Sequence, residues 1–187
     1  MATRQTVPVP PIDVARSALL TQFRWQDGHA DVWRVFADAP SFAAVVEGLA
    51  EPWRQAGISH VVGIESRGFL LGGAVAVRLG AGFVAVRKAG GLFPRATLRT
   101  VAAPDYRGVA HELRMQERLQ PGDVALLVDD WAERGSQAAA VVRLIGQSGA
   151  RFAGLSLMVD QLADPTRATL GRVTALVHAA ELGDPDA

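Results

Sequence analysis

Three features of this 187-residue chain predict an α/β fold in which a parallel β-sheet is flanked by helices. The first is the stretch VALLVDDWAERGSQA, Val124 to Ala138, where five apolar residues run into two carboxylates, a short loop with Gly135 and Ser136, and then a helical pattern. Such an apolar run suits a buried parallel strand, and Ala138, Val141, Val142 and Ile145 at i, i+3, i+4 and i+7 give the next helix one face to pack back on the sheet. The second is the order strand His60 to Ile64, helix Phe69 to Leu79, strand Phe83 to Lys88, a βαβ unit that the handedness rule makes right-handed. The third is composition: 49% hydrophobic and 20% charged residues describe a globular core rather than a disordered chain.

The elements follow in order. Residues 1 to 11 hold several prolines and no periodicity, which predicts an extended arm. Ile12, Ala15, Leu19 and Gln22 share one side of a short helix. Asp38, Pro40 and Ser41 mark a turn, with Ser41 expected to cap a helix running to about Ala56, and Gly57 to stop it. Gly72 and Gly73 in the following helix permit close helix–sheet packing. Ala89 to Gly108 is rich in glycine, proline and arginine and lacks a sustained apolar face, which predicts a flexible loop or lid. Val109 to Leu119 reads as part strand, part helix. After the central strand and helix, Arg151 to Val159 and Arg172 to His178 read as strands, the last at the sheet edge. No repeat or linker divides the chain, so one domain over residues 1–187 is expected.

Composition also excludes several function classes. Nineteen basic and nineteen acidic residues cancel, so no global field recruits nucleic acid or an anionic membrane, and anion binding must be local. The absence of cysteine rules out disulfides, thiolate nucleophiles and zinc–thiolate sites. The N-terminus MATRQTVPVPPID has no apolar signal core, and no run approaches the ~20 apolar residues of a membrane span. A cytoplasmic location is the default expectation.

The chemistry concentrates at the end of the central strand. Asp129 and Asp130 fall at its carboxyl end, where open α/β sheets bind ligands. Loop amides at a helix N-terminus suit phosphate, while adjacent carboxylates would repel phosphate but suit sugar hydroxyls or a hydrated cation. A ligand carrying both a phosphate and a diol, a ribose 5-phosphate, fits best. The plainer use of two aspartates is to cap the helix, but unpaired carboxylates repel each other, and hydroxyls or Mg²⁺ with its waters would offset that.

These residues resemble the phosphoribosyl pyrophosphate (PRPP) signature of the type I phosphoribosyltransferases: apolar strand, two acidic residues, a short variable stretch, then Thr-Gly-Gly-Thr. The second half departs from it, with Arg134, Ser136 and Gln137 around Gly135. The stretch VVGIESRGFLLGGAVAVRLGAGFVAVRKAGGLFP, Val61 to Pro94, is similar to the adenine phosphoribosyltransferase pattern of strand, Gly-x-x-x-Arg-Gly-Phe, helix and Val-Arg-Lys-x-Gly-x-Leu-Pro loop, with Phe93 inserted. Phe23-Arg24 and Asp105-Tyr106 resemble that family's base-pocket Phe-Arg and loop Glu-Tyr.

The resemblance implies a Rossmann-related fold with a flexible lid, Mg²⁺ as cofactor carried with PRPP near Asp129 and Asp130 rather than in a dedicated cage, a homodimer, and purine salvage. It implies transfer of a 5-phosphoribosyl group to a purine-like base with release of diphosphate. PRPP would be held by Asp129, Asp130, the Glu133, Arg134, Gly135, Ser136 and Gln137 loop, Ser66, Arg67, Arg87 and Lys88. Arg67 and Lys88 would meet the diphosphate, and Asp105 would serve as acid or base. Phe23, Arg24 and Trp131 would touch the base, and the Glu65–Ser66 peptide would be cis. Trp25, Trp33 and Trp53 are expected in the core, and His29, His60, His111 and His178, lacking ligand or relay spacing, as satisfied structural residues. Two other readings stay open. The altered Arg134–Gln137 loop also suits a non-catalytic regulator that binds PRPP or a nucleotide, and the long Phe23–Phe42 segment with Trp131 suits a transferase acting on a different heteroaromatic.

Overall fold

The computed structural model describes residues 9–90, 92–95, 98–104 and 108–184. Helix α1, Pro11–Gln22, begins with Pro11, whose fixed φ and missing N–H suit a first helical position. Strands β1, Arg24–Gln26, and β2, His29–Asp31, form a hairpin that sequence analysis missed. Its two-residue turn is Asp27-Gly28, both at positive φ, the conformation that matches strand twist.

Helix α2, Trp33–Ala37, leads into α3, Ala39–Ala50. Its N-cap is Asp38 rather than Ser41: Pro40 sits in the first turn, and the Asp38 carboxylate accepts from the Ser41 N–H at 3.0 Å. The helix also ends earlier than expected, passing into a 3-10 turn, Glu51–Trp53, where Pro52 cannot donate the next helical bond.

Strand β3, His60–Ile64, helix α4, Arg67–Leu79, and strand β4, Gly82–Lys88, make the expected βαβ unit. Within residues 89–108, Leu98–Val101 is not loop but strand β5, paired antiparallel with β6, Glu112–Met115. No helix forms in 109–119. Strand β7, Val124–Ala132, feeds α5, Ser136–Gln147, and β8, Arg151–Asp160, is joined through the short α6, Asp164–Thr169, to the edge strand β9, Val173–His178.

The seven strands lie in the order β5-β6-β4-β3-β7-β8-β9, parallel from β4 to β9, with β6 antiparallel to both its neighbours. Period-two alternation divides the apolar side chains between two cores. Leu126 and Val128 pack with α1, α3 and α4, while Ala125 and Leu127 pack with α5. Burial on both faces explains why the parallel strands read as unbroken apolar runs.

Close packing of α4 depends on glycines. A Cβ on Gly63 would lie 2.2 Å from the Gly68 carbonyl oxygen, and one on Gly72 would lie 2.8 Å from the Phe83 ring, whereas Gly73 faces open space. Trp53 is in the core at 1% exposure, but Trp33, expected there too, is half exposed at 53%. No helix among the described residues is long and apolar enough to cross a membrane.

Candidate active site

From β3 the chain passes through α4 to β4 on one side, and from β7 through α5 to β8 on the other. The neighbours β3 and β7 therefore send their connections in opposite directions, and a crevice opens at their carboxyl ends. A cleft of about 960 Å³ lies there, within the range of small-molecule sites. Ser66 and Arg67 reach it from the β3–α4 turn, Lys88 from the end of β4, Asp129 through Gln137 from β7 and the loop after it, and Trp25 and His29 from the hairpin.

The two carboxylates form the floor. Asp129 Oδ1 accepts from the Asp130 N–H at 3.0 Å, and a Cβ on Gly68 would come within 3.0 Å of the same oxygen. Any larger residue at Gly68 would press on that carboxylate. Asp130 is buried at 6% exposure, with Arg67 Nη1 2.9 Å from its Oδ2. Burial pushes the pKa of both aspartates up; the Asp130 charge raises Asp129 further, while Arg67 pulls against the rise at both. A diol or a hydrated cation would stabilise these carboxylates where the protein supplies one guanidinium for two charges.

Across the cleft Glu65 organises the cations. It accepts from Arg87 Nη2 at 2.8 Å and Nε at 3.3 Å, and from the Lys88 N–H at 3.1 Å. Those bonds, the Arg87 one foremost, hold the Glu65 carboxyl below its usual range. Arg87 also donates to the Leu92 carbonyl at 2.8 Å, so it braces the loop, whereas Lys88 and Arg67 line the cleft. The Glu65–Ser66 peptide is cis.

The loop after β7 turns at Gly135, whose φ of 68° a side chain would strain, and a Cβ there would also strike Thr166 at 2.7 Å. Beyond it the N-terminal amides of α5, a ready anion site, open to the cleft beside Arg134, Ser136 and Gln137. Among the described residues no group of three or more His, Cys, Asp or Glu could hold a metal ion. Adjacent Asp129 and Asp130 do fit a Mg²⁺ that keeps waters and takes its other ligands from substrate phosphates.

The base end differs from expectation. Arg24 turns back to the carbonyl oxygens of Thr21, at 2.8 Å, and Phe23, at 2.5 Å, and does not line the cleft. Phe23 is buried behind Trp25 and Trp131, with ring centroids 5.2 and 6.4 Å away. The cleft wall is made instead by Trp25 and Trp131. Sequence analysis also missed Gln161, His29 and His111 in the lining. An Asp-Gly turn between short strands was the available signal for the hairpin that carries Trp25 and His29. Asp105 lies outside the described residues.

The chain matches no family model. The adenine phosphoribosyltransferase of Streptomyces clavuligerus is 39% identical over 153 residues, 78% of this chain and 85% of that protein. The adenine phosphoribosyltransferase of Nocardioides sp. is 42% identical over 147 residues, covering 76% and 78%. Among solved structures, the adenine phosphoribosyltransferase of Rhodothermus marinus superposes with a TM-score of 0.78 at 30% identity over 88% of this chain and 98% of that one. The Giardia lamblia enzyme complexed with 9-deazaadenine gives 0.72 at 29% identity over 80% and 86%. Sequence over most of its length and the cleft at the β3–β7 switch point agree, and the chain belongs to the adenine phosphoribosyltransferase family.

Proposed function

We propose that this chain transfers the 5-phosphoribosyl group of PRPP to a ring nitrogen of adenine and releases diphosphate. The observation that carries this reading is convergence in one cleft of an acidic pair, two cations and a phosphate-binding helix start. Family membership supports it.

The transition state would resemble an oxocarbenium ion, so the protein must hold ribose and stabilise departing charge rather than supply a nucleophile. Asp129 and Asp130 accept hydrogen bonds from the 2- and 3-hydroxyls. The amides from Glu133 to Gln137 hold the 5-phosphate at the positive end of α5. Arg67 and Lys88 face the diphosphate, and Glu65 holds the Lys88 backbone in place. Mg²⁺, held near Asp129 and Asp130 with the substrate, would neutralise part of the diphosphate charge. The family pattern assigns acid–base work to Asp105. At the base end the wall is Trp25 and Trp131, with Phe23 supporting both from behind.

A homodimer and a cytoplasmic location belong to the same reading. Helix α4 leaves Leu70 and Val77 exposed, apolar surface that a second copy would cover. Sedimentation equilibrium giving a monomer would remove the dimer.

The test is to incubate the protein with PRPP, Mg²⁺ and a panel of bases and to follow diphosphate. Release is expected with adenine and only with Mg²⁺ present. Binding of PRPP without release across the panel would instead favour a nucleotide-binding regulator, the reading that the altered Arg134–Gln137 loop motivates.

A further inference from the structure

Trp131 and Gln161 meet at the rim of the cleft from neighbouring strands. Trp131 sits near the end of β7, in register with Val159 of β8, and Gln161 follows the last residue of β8. The indole Nε1–H donates to Gln161 Oε1 at 2.8 Å, and both side chains line the cleft. An indole nitrogen only donates, so this bond fixes which end of the Gln161 amide faces the ring. Trp25, with its centroid 6.1 Å from that of Trp131, is tied in the same way, its Nε1–H donating to the Leu182 carbonyl at 3.0 Å. Both N–H groups are thus engaged by the protein, and the rings are left to offer apolar surface.

Position along the strand says what that surface meets. Asp129 and Trp131 are two residues apart at the carboxyl-terminal part of β7, roughly 6.6 Å along the strand, and both line the cleft. A ribose whose diol rests on Asp129 then has Trp131 within reach of the group on its neighbouring carbon. Gln161 is exposed, a setting in which one hydrogen bond adds little to overall stability. Its consequence falls on the orientation of the ring.

We propose that Gln161 is a positioning residue: its carbonyl oxygen holds the Trp131 indole as the wall against which a planar nitrogen heterocycle stacks. This rests on the phosphoribosyl-transfer reading above. It is a separate claim from that reading, because it concerns a ring and its tether rather than the reacting groups.

The experiment is steady-state kinetics on Gln161→Leu, Gln161→Glu, Trp131→Phe and the Trp131→Phe/Gln161→Leu double variant. Gln161→Leu should raise KM for adenine roughly three- to tenfold, the size of one hydrogen bond, and leave KM for PRPP unchanged. Gln161→Glu keeps an oxygen acceptor and should recover most of the loss. In the Trp131→Phe protein, which stacks but has no N–H to hold, Gln161→Leu should add nothing. The proposal is overturned if Gln161→Leu leaves KM for adenine unchanged, raises both KM values together, or has its full effect in the Trp131→Phe protein. Calorimetric affinity for AMP on the same four variants reads the pocket without turnover. The same ranking without diphosphate release would refute the activity and keep the tether; a wild type that binds neither adenine nor AMP would refute the tether as well.

Discussion

Carboxylates flank the apolar run of strand β7 on both sides, and the fold treats them in opposite ways. At its start Asp123 accepts from the Gln120 N–H at 2.9 Å and from Ser59 Oγ at 2.9 Å, with His60 Nδ1 3.3 Å away. The Gln120 bond foremost, and the Ser59 bond with it, hold Asp123 below the usual carboxylate range. At the other end, burial pushes Asp129 and Asp130 above it. Where the carboxylate only joins strands, the protein supplies its partners. Where it borders the cleft, partners are short, and a ligand with hydroxyls or a hydrated cation completes the set.

Acid should therefore act on the two ends with opposite sign. The folded chain keeps protons on Asp129 and Asp130 that the unfolded chain has released, so stability falls as pH rises from the ordinary carboxylate value through their raised values. For Asp123 the contribution is present above the ordinary value and is lost as pH falls through the lowered one.

The largest expected effect breaks the cleft end alone. Asp129→Asn with Asp130→Asn should cut diphosphate release by on the order of 10²-fold or more while circular dichroism stays that of the wild type. Turnover and PRPP binding equal to the wild type would show that the acidic pair is not the ribose site. At the other end, Asp123→Ala takes the acceptor from the Gln120 N–H and the shorter of two carbonyl or carboxylate acceptors from the Ser59 hydroxyl, so it should lower the melting temperature and leave KM for PRPP unchanged. If KM rises instead, the two ends are not separable. The smallest effect sharpens the cleft end. Arg134 lines the cleft on the loop that departs from the family pattern, so Arg134→Ala should weaken PRPP binding several-fold and flatten its salt dependence, as read by titration calorimetry at two salt concentrations. Unchanged affinity would turn Arg134 towards solvent.

What could be read in the sequence was what burial writes locally. Strand His60–Ile64 emerged with its observed bounds because a strand covered on both faces is apolar throughout. The acidic pair was legible because it ends such a run, although β7 itself continues to Ala132. Non-local pairing was not legible. Strand β5 is recognised as a strand through its antiparallel partner β6, and Trp131 finds Gln161 across 30 residues. Arg24 shows a further gap: a long flexible side chain beside helix-end carbonyls turned to them, and nothing in its neighbours' spacing encodes that choice.

The claim that the cleft carboxylates are held at a cost for the sake of a ligand is tested most directly by the ligand-free melting temperature of Asp129→Asn at neutral pH. The amide keeps the oxygen that accepts from the Asp130 N–H and cannot take on the charge that burial disfavours. The account predicts a rise of roughly 2–4 °C, as ~1 kcal/mol gives in a chain of this size, together with loss of turnover. A melting temperature below that of the wild type would contradict it, placing Asp129 with Asp123 among the carboxylates the fold has already satisfied.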